Sequence, residues 1–149
     1  MNLISSNSNL TYFPKLNLHE EVKIIIPTTI APGVLTYFGS NDVVNNSLLT
    51  GLKFDCQENL NRVVENGTTA TEADAKNALI TLVDKKGQMI IKELPVNAFN
   101  VRNSTNYALA IRRIAKAEIY LPKCFIRWTD VSPANNLYFY FSFYLQKKQ

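Results

Sequence analysis

The sequence predicts an all-β fold: an antiparallel β-sandwich of jelly-roll or Greek-key type with about eight strands. Three observations carry that expectation. The run Leu137–Leu145 places Leu137, Phe139, Phe141, Phe143 and Leu145 at odd positions and Tyr138, Tyr140, Ser142 and Tyr144 at even ones. Alternate side chains of a strand point to opposite faces, so this period of two marks a strand with a wholly apolar row on one side and a tyrosine-rich row on the other. Short β-rich runs recur between Gly, Pro and Asn turns with no strand-helix-strand rhythm. Parallel sheets need helical crossovers, so the pairing is antiparallel. Finally, the connections 57–76 and 95–106 are too long for simple hairpins, and long returns are what Greek-key and jelly-roll sandwiches use.

The chain of 149 residues, 46% apolar and 19% charged, has a globular composition and enough length for one domain with its own core. Residues 1–20 read as an extended N-terminal arm and 21–149 as a single sandwich domain. The arm is rich in Asn and Ser and has no helix or strand period, yet it carries Leu10, Tyr12, Phe13, Leu16 and Leu18. Those apolar groups are costly to leave in water, so the arm is expected to lie over its own domain or a neighbouring subunit. Met1–Leu10 lacks the basic and apolar regions of a signal peptide, and no stretch reaches the roughly 18 apolar residues of a membrane helix. The expectation is a soluble protein made in a cytoplasm.

Val22, Ile24, Ile25 and Ile26 form a β-branched run closed by Pro27, the first strand. Pro32-Gly33 turns the chain into a second, Val34–Phe38, and Gly39–Asn46 is a loop by composition. Leu52, Phe54 and Cys56 alternate with Lys53 and Asp55, giving a third strand with one face to solvent. Within 57–76, Asn66-Gly67 is a type I′ hairpin signal, while Thr71-x-x-Asp74 has the spacing of a helix cap. The segment reads as an insertion on the rim. Leu79–Val83 and Gln88–Leu94 around Asp84-Lys85-Lys86-Gly87 make the clearest hairpin, closed by Pro95. Val96–Asn106 is a loop. Alanines in Tyr107–Leu121 favour helix locally, but alternation of Ala115, Ala117, Ile119 and Leu121 with Lys116, Glu118 and Tyr120 favours strand from about Ile114. Cys124, Ile126 and Trp128 alternate with Phe125 and Arg127 in a further strand, and Val131–Asn136 turns into the aromatic one.

Chemistry-bearing patterns are sparse. The formal charge of +4 comes from the separate pairs Lys85-Lys86, Arg112-Arg113 and Lys147-Lys148, whereas phosphate binding needs cations gathered on one surface. Nucleic acid is therefore only a third-ranked partner. His19 is the single histidine, which leaves histidine metal sites and Ser-His or Cys-His pairs without support. The chain has no phosphate-cradling glycine loop or nucleophile elbow, so no enzyme, cofactor or metal is expected. Glu58, Glu65, Glu72 and Asp74 are the carboxylates available for glycoside hydrolysis, which needs two across a cleft. Cys56 and Cys124 are read as free buried thiols, with a single long-range disulfide between them as the alternative, and the sequons at Asn9, Asn45, Asn66 and Asn103 as chance matches. The candidate interface residues are Tyr12, Phe13, Trp128, Tyr138, Tyr140 and Tyr144, because aromatic residues with a polar tip are enriched where proteins meet.

The strands Ala115–Leu121, Cys124–Trp128 and Leu137–Leu145, behind an Asn/Ser-rich arm, resemble the small single jelly-roll proteins of icosahedral virions, the penton, minor capsid and cement proteins of bacteriophages. The resemblance implies a capsid component located in the virion. Its implied partners are copies of itself and a major coat protein, with no cofactor. The competing expectation is a carbohydrate- or receptor-binding sandwich whose aromatic face, with Trp128 and Arg127, stacks on a ligand.

Overall fold

The structure, a computed structural model, describes residues 18–100 and 112–148. The strands are β1 (Leu18–Ile26), β2 (Leu35–Tyr37), β3 (Ser47–Asp55), β4 (Gly67–Thr69), β5 (Ala78–Val83), β6 (Met89–Pro95), β7 (Arg112–Glu118), β8 (Phe125–Trp128) and β9 (Asn136–Lys147). Single helical turns, Asp42–Asn45 and Glu72–Lys76, precede β3 and β5, and 3-10 turns cover Val96–Phe99 and Leu121–Lys123.

The apolar row of β9 is what the sandwich closes on. Leu137, Phe139, Phe141, Phe143 and Leu145 are all buried, the three phenylalanines completely. One edge of β9 pairs with β1 over nine consecutive residues, from Leu18 opposite Leu145 to Ile26 opposite Leu137. The other edge is shared between antiparallel β3 and, at Asn136–Tyr138, parallel β4. With β7 beyond β3, the first sheet runs β1-β9-β3-β7. The second runs β2-β8-β5-β6, packing Ile80, Leu82, Ile126 and Trp128 against the phenylalanines. Phe38 meets Phe141 and Phe143 edge-on at 5.7 and 6.2 Å.

The pairs β1·β9, β2·β8, β3·β7 and β5·β6 are nested. Apart from the short β4, the chain is one long antiparallel hairpin with its tip at β5–β6, rolled so that successive pairs alternate between sheets. This is the jelly-roll form of the predicted sandwich, and it closes no barrel.

Several local expectations hold. Pro27 follows β1, and the β5–β6 turn is tied by Asp84 Oδ1, which accepts from the N–H groups of Lys86 and Gln88, with Gly87 at φ 85°. Thr71 and Asp74 form a reciprocal capping box on Glu72–Lys76. Cys56 and Cys124 are free and buried. Other expectations are corrected. Strand β1 begins at Leu18, inside the segment read as arm, and the loop 39–46 contains the helical turn capped by Asn41 Oδ1. Asn66-Gly67 makes no hairpin, because 62–64 has no strand to pair. Asn66 takes the positive φ of 55°, and Gly67 starts β4. Tyr12, Phe13, Val101 and Tyr107–Ile111 lie outside the described residues.

Gly67 is required by close approach. A Cβ there would sit 2.4 Å from the Asn136 carbonyl oxygen and 2.7 Å from the Tyr138 ring. Backbone on one side leaves nothing to yield except the β4–β9 pairing. Gly67→Ala is expected to cost about 1–3 kcal/mol in urea unfolding. Gly39→Ala, which meets nothing within 4 Å, is expected to fall within about 0.5 kcal/mol of the parent.

Candidate functional site

The even row of β9 faces away from the phenylalanine layer, and its tyrosines suit either further core or an interface. In the structure the segment 57–66 folds back over it. The Tyr138 hydroxyl donates to the Glu65 carbonyl at 2.7 Å, and the Asn136 side-chain amide donates to the Asn66 carbonyl at 2.9 Å. Arg62 reaches across the sheet to ion-pair with Glu21 of β1, its guanidinium lying over the Tyr140 ring at 4.5 Å. A guanidinium over an aromatic face is held by the ring quadrupole as well as by its carboxylate. Tyr140 is left 8% exposed, and burial pushes its phenol above the ordinary range, with Arg62 opposing the shift.

Beside this cover lies a polar pair that the alternation of β3 assigns to solvent. Asp55 is only 6% exposed; its carboxylate takes a hydrogen bond from the Ser142 hydroxyl at 3.1 Å and an ion pair from Lys53 at 3.1 Å. Burying a carboxylate is costly unless it is paired, and both oxygens are engaged here. Tyr144, at the far end of the row, is half-buried and stacks on His19 at 5.0 Å. Trp128 points inward, 2% exposed, with its indole N–H donating to the Val131 carbonyl at 2.8 Å. The sequence-chosen aromatics are thus dispersed. Tyr138 and Tyr140 are brought together beneath Arg62, Tyr144 sits apart, and Trp128 belongs to the core.

The uncovered apolar surface is elsewhere. On the outer face of the second sheet, Leu35 and Tyr37 are 37% and 54% exposed, and Tyr37 packs edge-on against its cross-strand partner Phe125 at 5.5 Å. Beside them Arg127 Nε donates to Glu93 Oε1 at 2.6 Å. Sequence reading missed this patch because β2 has only three residues, too few to display a period.

Two smaller features complete the surface. A cleft of about 350 Å³ opens between β4, the turn 129–135 and the Glu72–Lys76 helix, lined by Thr68, Asp74, Asp130, Ser132 and Asn135 with Trp128 in its wall. Next to it in sequence, Cys56, Glu58 and Glu72 bring one sulfur and two carboxylate oxygens within 4.8 Å of one another. Glu58 there accepts the N–H of Glu72 at 3.1 Å, so these two carboxylates stand side by side on one rim instead of facing each other across a cleft. The basic pairs also partly converge: Lys85 and Lys148 place their amines together, which lowers the Lys85 pKa, and Lys148 reaches Glu118 at 3.4 Å.

Comparison with protein-family models, with curated proteins and with solved structures finds no match to this chain.

The thiol Cys124 provides a pH readout of the core beneath the second sheet. Burial lifts its pKa from 9.0 to about 11, against the opposing hydrogen bond from the Val83 N–H. The folded chain therefore holds this proton more tightly than the unfolded one. Its contribution is complete below pH 9.0 and is lost as pH rises through about 11. Over that window the parent is expected to lose about 2–3 kcal/mol more than Cys124→Ala in urea unfolding. Equal slopes for the two proteins would contradict the buried placement.

Proposed function

We propose that this chain is a structural, self-associating protein, a capsid-associated component of a virion whose partners are copies of itself and a major coat protein. The observation that carries the proposal is the outer face of the second sheet, where the described residues leave Leu35 and Tyr37 exposed beside the half-buried Phe125. The contrast with the first sheet supports the reading. There the outer row is sealed by residues 57–66 through Arg62, Tyr138 and Asn136. Contiguous exposed apolar surface rimmed by polar groups is the common mark of a protein–protein contact. The nested strand order adds to this, since jelly rolls recur in capsid proteins. Lectins share that architecture, so the surface carries more weight than the fold.

Light scattering on the purified chain is expected to give a mass above the 16.9 kDa of one copy, rising to a defined plateau with concentration. A strict 16.9 kDa species at the highest attainable concentration overturns the self-association reading. Mass spectrometry of purified particles is expected to find the chain at fixed stoichiometry to the major coat protein.

The cleft at 129–135 favours one second reading, a module that binds a small polyhydroxylated ligand through Asp130 and Asn135. Reproducible glycan-array binding that is abolished by Asp130→Ala would establish it in place of the first. Trp128 and Tyr140 are unsuitable for that test, because truncating either opens a cavity or unseats the segment over β9.

A further inference from the structure

A sandwich that closes no barrel has four edge strands, and an unpaired edge is a row of main-chain donors and acceptors seeking a partner. Three of the four edges are blunted. Strand β2 has only three residues. Strand β6 is broken by two register shifts against β5 and by Glu93 at φ 49°. Strand β7 shifts register opposite Leu49 and Gly51. Strand β1 differs from them all, with nine residues in unbroken register on β9. Among the described residues, no main-chain hydrogen bond reaches its outer edge.

The sequence of β1, Leu-His-Glu-Glu-Val-Lys-Ile-Ile-Ile, sets opposite charges face to face in one antiparallel register, with Glu20 then opposite Ile24. When a two-fold axis continues the sheet with the same face outward, residues of the same row meet across the junction. With the axis at Val22, Glu21 faces the second copy's Lys23, and Lys23 faces the second copy's Glu21. Leu18 then meets Ile26, and His19 meets Ile25. Moving the axis to Glu21 sets Glu21 against itself and His19 against Lys23. Moving it to Lys23 sets Lys23 against itself. Directly opposed like charges disfavour those two alternatives, whereas opposite charges favour the first. Glu21 and Lys23 both project from the exposed outer row, on either side of the buried Val22.

We propose that β1 is the self-association edge of this protein. Two copies pair antiparallel about Val22, joining their five-stranded first sheets into one continuous sheet whose main path runs β7-β3-β9-β1-β1-β9-β3-β7, with each β4 beside its β9. Strand β2 lies near β1 at the same side of the sandwich, while its exposed Leu35 and Tyr37 face outward from the second sheet and take no part in the junction. This assignment rests on the self-association reading above and names the surface and the partner.

The test is a charge exchange on the full chain. Lys23→Glu leaves two negative residues on the edge, and Glu21→Lys leaves two positive ones. Each variant alone is expected to dimerise at least about tenfold more weakly than the parent, because both opposed pairs become like-charged. An equimolar mixture of the two is expected to restore a species of twice the 16.9 kDa chain mass, now as a heterodimer with opposite charges at both contacts. Lys23→Gln, which leaves the Arg62–Glu21 ion pair in place, provides the milder variant should Glu21→Lys unfold the chain, and is expected to dimerise with intermediate strength.

Parent oligomers that ignore all three substitutions overturn the β1 assignment and leave the self-association reading standing. A parent that is monomeric at every concentration overturns both. Closed rings with an odd number of copies indicate head-to-tail contacts and overturn the two-fold pairing. A monomer in which the outward-facing β1 amides, those not bonded to β9, resist hydrogen exchange indicates that another segment of the same chain fills the edge, and overturns it as well.

Discussion

The burial of β9 on both faces is the constraint on which the rest of the molecule depends. Its odd row anchors the core between the sheets, and the Asn136, Tyr138 and Tyr140 part of its even row lies beneath Arg62, Glu65 and Asn66. Its two edges are paired to β1 on one side and to β3 and β4 on the other. A central strand in this position needs side chains that tolerate burial on both sides, yet a fully aliphatic even row would leave the covering segment nothing polar to hold. Tyrosine meets both needs. Its ring packs like phenylalanine, while the Tyr138 hydroxyl pins the Glu65 carbonyl and the Tyr140 face carries Arg62. A one-residue slip of β9 would drive the tyrosine hydroxyls into the phenylalanine layer, so the register is fixed from both faces at once.

Nested pairing makes this arrangement strongly cooperative. The β5–β6 hairpin is local, closed across the five residues 84–88, whereas β1 and β9 join the two ends of the described chain. Pairing β1 with β9 before the intervening strands would close a loop of more than a hundred residues, whereas each inner pair already formed shortens it. The entropy of closing such long loops precedes the contacts that reward it, which is why sandwiches with this connectivity fold slowly relative to helical domains. The Glu72–Lys76 turn, with its reciprocal cap, and the asparagine-capped turn at Asp42–Asn45 are local structures that shorten the effective loops between strands.

What the sequence made legible was whatever depends on a period of two or on short-range hydrogen bonding. The strands β1, β3, β5, β6, β8 and β9 stand out by alternation or β-branching, and the capping box and the Asp84 turn by the spacing of their side chains. What it hid depends on where a loop lands. Asn66-Gly67 has the composition of a hairpin, but Gly67 is demanded by a neighbouring carbonyl 69 positions away in sequence, and nothing local announces that contact. Likewise Asp55 alternates as a solvent residue and is buried beside Ser142 and its cross-strand partner Tyr140, the ring that carries Arg62. The tyrosine row looked like a partner surface for the same reason: the covering segment has no period to betray its path. The exposed Leu35–Tyr37–Phe125 cluster escaped notice because three residues of β2 cannot show an alternation.

The two outer faces and the β1 edge differ in the range over which their forces act, and this bears on how a chain of net charge +4 could associate with itself. Two like-charged copies repel over distances comparable to their own size. At physiological ionic strength the screening length is about 8 Å, so most of that repulsion is removed. Cross-strand neighbours, with Cβ atoms about 5 Å apart, interact within that length and keep much of their attraction. In the proposed β1 pairing, Glu21 and Lys23 would stand where charge can select a register without having to supply the bulk of the binding. Main-chain hydrogen bonds along the nine residues of β1 would supply it instead, so a few positioned charges suffice.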